Sequence, residues 1–151
     1  MIHERRTLGI LSIFGLCGAL IVAGTVQAVD VNNLDGFEKL FGRYAPSGDC
    51  KRQPQIVVDR TGFTFEVAGK SEKATHPEYA ASYGGNFYEG ISLWFFPYFD
   101  PDKDRPLLLT FNAGEKKGVL SVETEYNYPG GPKLEAKYQA LVNGSFYRVC
   151  K

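Results

Sequence analysis

The stretch QIVVDRTGFTFEVAG, residues 55–69, reads as a β-hairpin and decides the fold class. Its first arm, Ile56 to Val58, is β-branched, and such side chains are stiff and pack well on a pleated surface. The DRTG turn offers Gly62 for a positive φ. In the second arm Phe63, Phe65 and Val67 alternate with Thr64 and Glu66, which places one face in a core and one in water.

Downstream of this hairpin the same logic gives three more strands. Ile91 to Tyr98 is a near-continuous apolar run, as expected of a strand buried on both faces, with Pro97 at its end or on an edge. LLLTFN and VLSVETEY follow, joined by AGEKKG. In the last of these, Val119, Ser121, Glu123 and Glu125 alternate with Leu120, Val122 and Thr124, a half-buried pattern.

Helical signals lie around these strands. NNLDGFEKLFG spaces Leu34, Phe37, Leu40 and Phe41 as a helix face, with Asn32 or Asn33 as N-cap and Gly42 as a stop. YAPSGD then reads as a turn-rich connector. Thr75 and Glu78 form a capping box with Pro77 in the first turn, which predicts a short helix ending at Gly84-Gly85. Residues 134–149 fit either of two structures. Leu134, Tyr138, Leu141 and Val142 make a helix face capped by Asn143-Gly144, whereas the same Asn-Gly could turn a hairpin; the Glu, Ala, Lys and Gln content favours the helix. The expected fold is α+β, mainly β: an antiparallel sheet or small partly closed barrel of five or more strands, with short terminal helices and one disulfide.

The disulfide follows from the N-terminus. Arg5 and Arg6 precede a run without charge from Thr7 to Ala28 that ends in VQA, with Val26 and Ala28 at the small-residue positions. This is the layout of a secretory signal peptide over residues 1–28, leaving a single β-rich domain over residues 29–151. An uncleaved anchor is the rival reading, since the run is long enough to span a bilayer, although Gly9, Gly15, Gly18 and Gly24 dilute its hydrophobicity. Cys17 lies within that run. Cys50 and Cys150 are the cysteines left to the exported domain, and an even pair in an oxidising compartment is expected to bond. The expected location is periplasmic or secreted.

Charge and motifs narrow the chemistry. The chain carries 17 basic and 17 acidic residues, so nothing draws it electrostatically to nucleic acid. Membrane contact is expected only through the signal segment, if that stays uncleaved. No G-x-S-x-G elbow is present, and His76 precedes Pro77 as an exposed cap residue rather than a general base. Glu123 and Glu125 share a strand face, whereas a glycosidase needs carboxyls facing each other across a cleft. Asp100, Asp102 and Asp104 have the alternate spacing of a calcium loop, but Arg105 and Phe111 stand where an EF-hand needs Gly and Glu. We therefore expect no metal, no cofactor and no catalytic residue. The aromatic concentration from residue 79 to residue 99 is the most suggestive feature. Tyr79, Tyr83, Tyr88, Trp94 and Tyr98 form a candidate ligand face, since tyrosine and tryptophan bury area at low entropic cost. The competing reading is that these residues fill the core and the sheet edge.

GRYAPSGDC, followed by PQIVVDRTGFTFEVAG and ending in YRVC, resembles small exported bacterial β-rich proteins of unassigned role; GISLWFFP and LLLTFNAGEKKGVL add to the likeness. The resemblance implies a disulfide-clamped β protein, analogous in architecture to bacterial lysozyme inhibitors, whose inhibitory loop motifs are absent here. The function expected is a non-enzymatic binding module for a protein or cell-envelope component. The alternatives are a carboxylate-dependent hydrolase of envelope material and a structural envelope protein. Export is expected with cleavage between Ala28 and Val29; the intact mass of the exported protein checks this, and a mass that includes residues 1–28 identifies an anchor.

Overall fold

The computed structural model describes residues 28–81, 88–98 and 106–150. The expected signal segment (but for Ala28), Tyr83 and the Asp100–Asp104 loop lie outside these residues. The strands are β1 (Ala28–Asp30), β2 (Gly42–Pro46), β3 (Gln55–Asp59), β4 (Gly62–Val67), β5 (Lys70–Ala74), β6 (Glu78–Ala80), β7 (Leu93–Phe96), β8 (Leu108–Phe111), β9 (Val119–Glu123) and β10 (Tyr147–Val149). One α-helix, α1 (Ala136–Asn143), precedes β10. All ten strands belong to one antiparallel sheet in the order β1-β6-β7-β8-β9-β10-β2-β3-β4-β5.

The hairpin read first is β3–β4. Ile56 pairs with Phe65 and Val58 with Phe63 on the core side, while Val57 pairs with Thr64 on the other. Asp59 accepts a hydrogen bond from the Thr61 backbone N–H at 2.7 Å, which fixes the two-residue turn. Gly62 has φ +131°, and a Cβ there would strike the Ala74 carbonyl oxygen, so space and backbone both demand glycine. A second tight turn, Ala68-Gly69 with φ of 51° and 75°, adds β5.

The sheet curls on itself as a half-barrel. Phe63 on β4 meets Phe95 on β7 and Phe111 on β8 across the core, with ring centroids 5.5 and 5.9 Å apart. The segment after β1 helps to span the open side: Val31 N–H donates to Pro77 O at 3.0 Å and Leu34 N–H to Arg60 O at 2.8 Å. Tyr44, Ile56, Phe63, Phe95, Leu109, Phe111, Leu120 and Tyr147 fill the interior. Phe95 and Phe96 project from opposite faces of β7 and both are buried, as the apolar run predicts. Pro97 follows directly, where it ends the strand.

Several elements differ from the sequence expectation. Residues 32–42 do not form an α-helix. Asn33 Oδ1 accepts from Asp35 N–H at 2.9 Å, Gly36 sits at φ +91°, and what remains is a single 3-10 turn over Glu38–Leu40. The apolar face still packs, with Leu34 and Leu40 buried. Tyr44, Ala45 and Pro46, expected in the YAPSGD connector, belong with Gly42 and Arg43 to the strand β2. Thr75–Glu78 does not cap a helix, because Glu78, Tyr79 and Ala80 pair with Phe96, Phe95 and Trp94 of β7; strand pairing overrides the local capping signal. Of the outward residues of β9, Val119 and Ser121 are not wet but buried in the middle of the sheet, while Glu123 is exposed as the alternation predicts. Residues 136–143 are helical, and Gly144 closes the helix by donating to Ala140 O at 3.0 Å.

The disulfide joins Cys50, beyond β2, to Cys150, beyond β10, with Cα atoms 5.5 Å apart and a sequence separation of 100. Gln55 holds the first cysteine's loop against the sheet: its Nε2 donates to Cys50 O at 2.6 Å and to Arg52 O at 2.8 Å, and its Oε1 accepts from Arg43 at 2.5 Å. The bond acts mainly by restricting the unfolded chain. A double Cys50→Ala, Cys150→Ala variant is expected to keep its far-ultraviolet circular dichroism and lose ~2–5 kcal/mol in urea unfolding. Denatured, unreduced protein lacking residues 1–28, and with them Cys17, should show no free thiol.

Candidate functional site

On β5 the side chains alternate, and the register sets Glu72 opposite Phe65 and Ala74 opposite Phe63. Glu72 therefore points to the concave side, at the rim where the core gives way to the mouth of the half-barrel. Two other elements converge on it. Tyr98 follows β7 immediately, and its hydroxyl donates to Glu72 Oε1 at 2.7 Å. The first turn of α1 supplies Lys137, whose Nζ lies 2.6 Å from Glu72 Oε2, and Tyr138, whose hydroxyl lies 3.3 Å from Oε1. The Tyr98 and Tyr138 rings are 5.8 Å apart, and the Lys137 ammonium lies 4.5 Å from the centroid of the Tyr138 ring. Glu135 Oε2 is 3.5 Å from the same ammonium.

The electrostatics follow from this geometry. Burial acts to raise the Glu72 pKa, but the hydrogen bonds from Lys137 and Tyr98, and then Tyr138, outweigh it and hold the carboxyl below the ordinary glutamate range. Burial acts to lower Lys137, and its bonds to Glu72 and Tyr138, together with the charges of both groups, more than reverse that, so the ammonium is held charged. Burial also pushes the Tyr98 phenol far up, reinforced by its bonds to Tyr138 and Glu72, so it is a fixed donor.

A cleft of about 650 Å³ opens against this corner, walled by the 72–76 segment, Pro97, Tyr98, Pro106, Tyr126, residues 132–135 and Tyr138. A smaller recess of about 310 Å³ lies on the other side, lined by Phe65, Val67, Lys137 and Leu141 among others. Glu72 and Tyr138 line both, so they stand between the two spaces. Volumes of this size, at the mouth of a curled sheet and with a few convergent polar groups, are typical of ligand sites.

The five aromatic residues singled out from sequence do not share one surface. Tyr79 turns into the core against Phe37 and Phe95, at 5.0 and 5.2 Å. Tyr88 and Trp94 pack on each other at 4.7 Å on the outer side, and the Tyr88 hydroxyl is held by Glu115 while accepting from Ser92 N–H at 2.8 Å. That contact draws the exposed Glu115 carboxyl below its ordinary range. Tyr98 is the one at the cleft among the four that are described; Tyr83 lies outside the described residues. His76 is exposed on the cleft wall, with Nδ1 3.0 Å from Thr75 Oγ1. Glu123 accepts from Ser121 on the outer face of β9. Glu72, Tyr126 and the role of Lys137 and Tyr138 escaped the sequence reading. The signal that could have found Glu72 is the period of two, carried past the Ala68-Gly69 turn.

No family model, curated protein or solved structure matches the chain. The chemistry of the cleft is therefore read from its own residues.

Glu72 ties β5, the segment after β7 and α1 together, and its side chain is 39% exposed, so solvent screens the interaction. Because its folded pKa is lowered, the stabilisation is complete above the ordinary value of 4.5 and is lost as pH falls through the folded value. Glu72→Gln is expected to cost about 1–2 kcal/mol at neutral pH. The gap to wild type should narrow in thermal melts as the pH is taken below 4.5.

Proposed function

We propose that the chain is an exported, non-enzymatic binding protein, periplasmic or secreted, and that the cleft at the mouth of the half-barrel receives its ligand, a protein or cell-envelope component. The observation that carries this reading is the construction of the cleft: tyrosine and proline walls around one inward carboxylate whose position is fixed by three donors. Such a wall offers flat apolar area with little rotamer entropy to lose on binding. The Cys50–Cys150 bond is compatible with an oxidising compartment. Among the described residues no helix is long and apolar enough to cross a membrane.

Glu72 and Glu135 both line the cleft, which is the observation that bears on the hydrolase alternative. Acid–base hydrolysis needs one carboxyl kept protonated near neutral pH by a raised pKa. Glu72 moves the other way, which removes it from the proton-donor role; we propose binding on the construction of the cleft rather than on this shift.

The exported protein, immobilised and exposed to envelope extract, is expected to retain a stoichiometric partner. His76→Trp places a bulky ring on the exposed wall of the cleft and should reduce that capture at least tenfold, about 1.4 kcal/mol. Equal capture by the variant removes the cleft from the reading, and no retained partner favours a structural envelope role.

A further inference from the structure

The corner at Glu72 contains an ammonium group already. Lys137 Nζ is 2.6 Å from one carboxylate oxygen, 3.5 Å from Glu135 and 4.5 Å from the centre of the Tyr138 ring, with the Tyr98 ring tilted 60° to the Tyr138 ring at 5.8 Å. Carboxylates beside aromatic faces are what an organic cation requires: a hydrogen-bond acceptor, compensating charge and the negative face of a π-system. Resting on the reading of the cleft as a ligand site, we propose that this corner binds a primary ammonium group of the ligand, and that Lys137 is an internal occupant which the ligand displaces.

Three observations make the displacement physically reasonable. Lys137 approaches the carboxylate from the smaller recess, whereas the large cleft reaches the same carboxylate and the same Tyr138 from the other side. A ligand in the cleft thus meets Glu72 without passing through the helix. Lys137 is carried on a flexible stem with its side chain 39% exposed, so it can leave into water with its charge solvated. Once it leaves, Glu72 has lost its ion-pair partner at 2.6 Å, a place that a ligand cation can take; of the two lysines that also line the cleft, Lys73 is paired with Asp59 at 3.4 Å and Lys133 lies on the 132–135 wall. A primary ammonium is favoured over a quaternary one because the carboxylate sits at hydrogen-bonding distance from the present occupant, and only N–H groups can replace that bond.

The shared chemistry fits a free alkylamine or the lysine side chain of a protein partner. Titrations of the disulfide-bonded domain followed by nuclear magnetic resonance, with n-butylamine, Nα-acetyl-lysine-N-methylamide and tetramethylammonium, separate these. Lys137→Met keeps the alkyl stem and removes the competitor. If Lys137 fills the site nine-tenths of the time, this variant should bind the primary amines about tenfold more tightly than wild type. Glu72→Gln should lose amine binding, and tetramethylammonium should bind more weakly than n-butylamine to wild type and to Lys137→Met. Preference for the lysine derivative indicates a partner's side chain, and equal affinity indicates a free amine. The proposal is overturned if Lys137→Met binds amines no more tightly than wild type, or if Glu72→Gln binds them equally well. A null result with amines, alongside partner capture that His76→Trp still abolishes, rejects the ammonium site and leaves the cleft reading standing.

Discussion

The fold depends on where its last strand is placed. β10 is three residues long, yet it lies between β9 and β2 and is hydrogen-bonded to both. Without it the chain is two separate ribbons, β1-β6-β7-β8-β9 and β2-β3-β4-β5. Each ribbon has an apolar face that it cannot cover alone. The insertion of β10 makes them one surface that can curl until Phe63 meets Phe95 and Phe111. Tyr147 is the residue that fixes the insertion. It is fully buried, with its hydroxyl donating to Leu141 O at 2.6 Å, and burial holds its phenol well above the ordinary range. The Cys150 N–H donates to Arg43 O at 2.7 Å just before the disulfide, so the backbone ladder and the covalent bond close the same seam. Pairing between residues a hundred positions apart is entropically expensive to find, which is where a covalent tie has most effect.

The parts of this arrangement that sequence discloses are those in which local pattern and tertiary role agree. β3 and β4 alternate, carry β-branched and aromatic residues and turn at a glycine, so pattern, propensity and turn chemistry coincide. β7 and β8 are apolar enough to be read as strands in any context. β2 has Tyr44 as its one large apolar residue between Gly42 and Pro46, and it is a strand because neighbours on both sides pair with it. β5 reads KSEKA and shows no apolar alternation, since its inward position is Glu72 and its turn uses Ala68 in the left-handed region, where Gly or Asn is the usual signal. Thr75–Glu78 shows the opposite failure: a sound local helix signal loses to hydrogen bonds offered by β7.

The candidate site was the least legible part for the same reason. Its acid comes from a strand with no strand pattern. Its tyrosines come from elements forty residues apart, and its cation from a helix that composition only favoured. The aromatic concentration around residues 79–99 does mark a structural centre, but strand alternation divides it. Tyr79 and Phe95 go inward, and Trp94 and Phe96 outward. Among the described residues, only Tyr98, beyond the strand end, escapes that alternation and reaches the mouth. A cluster in sequence is thus a poor guide to a cluster in space wherever side chains alternate between faces.

The seam and the cleft are mechanically joined, and this decides how far the site can adapt. α1 ends at Gly144, where any side chain would strike the buried Tyr147 phenol and press on Pro54, so the helix C-terminus rests directly on β10. The Leu141 carbonyl accepts from Tyr147 at that contact, and Ser145 Oγ accepts from Val122 N–H at 2.9 Å, which pins the helix exit to β9. The C-terminal half of α1 is thereby held by the most buried part of the sheet. In its N-terminal half Tyr138 is anchored in the core, and Lys137 is held over the mouth by a contact to Glu72 that is partly open to solvent. A helix anchored along its buried face adapts through its exposed side chains. Changes in the cleft should therefore be taken up by the Lys137 side chain, while Tyr138, Leu141 and β10 stay in place.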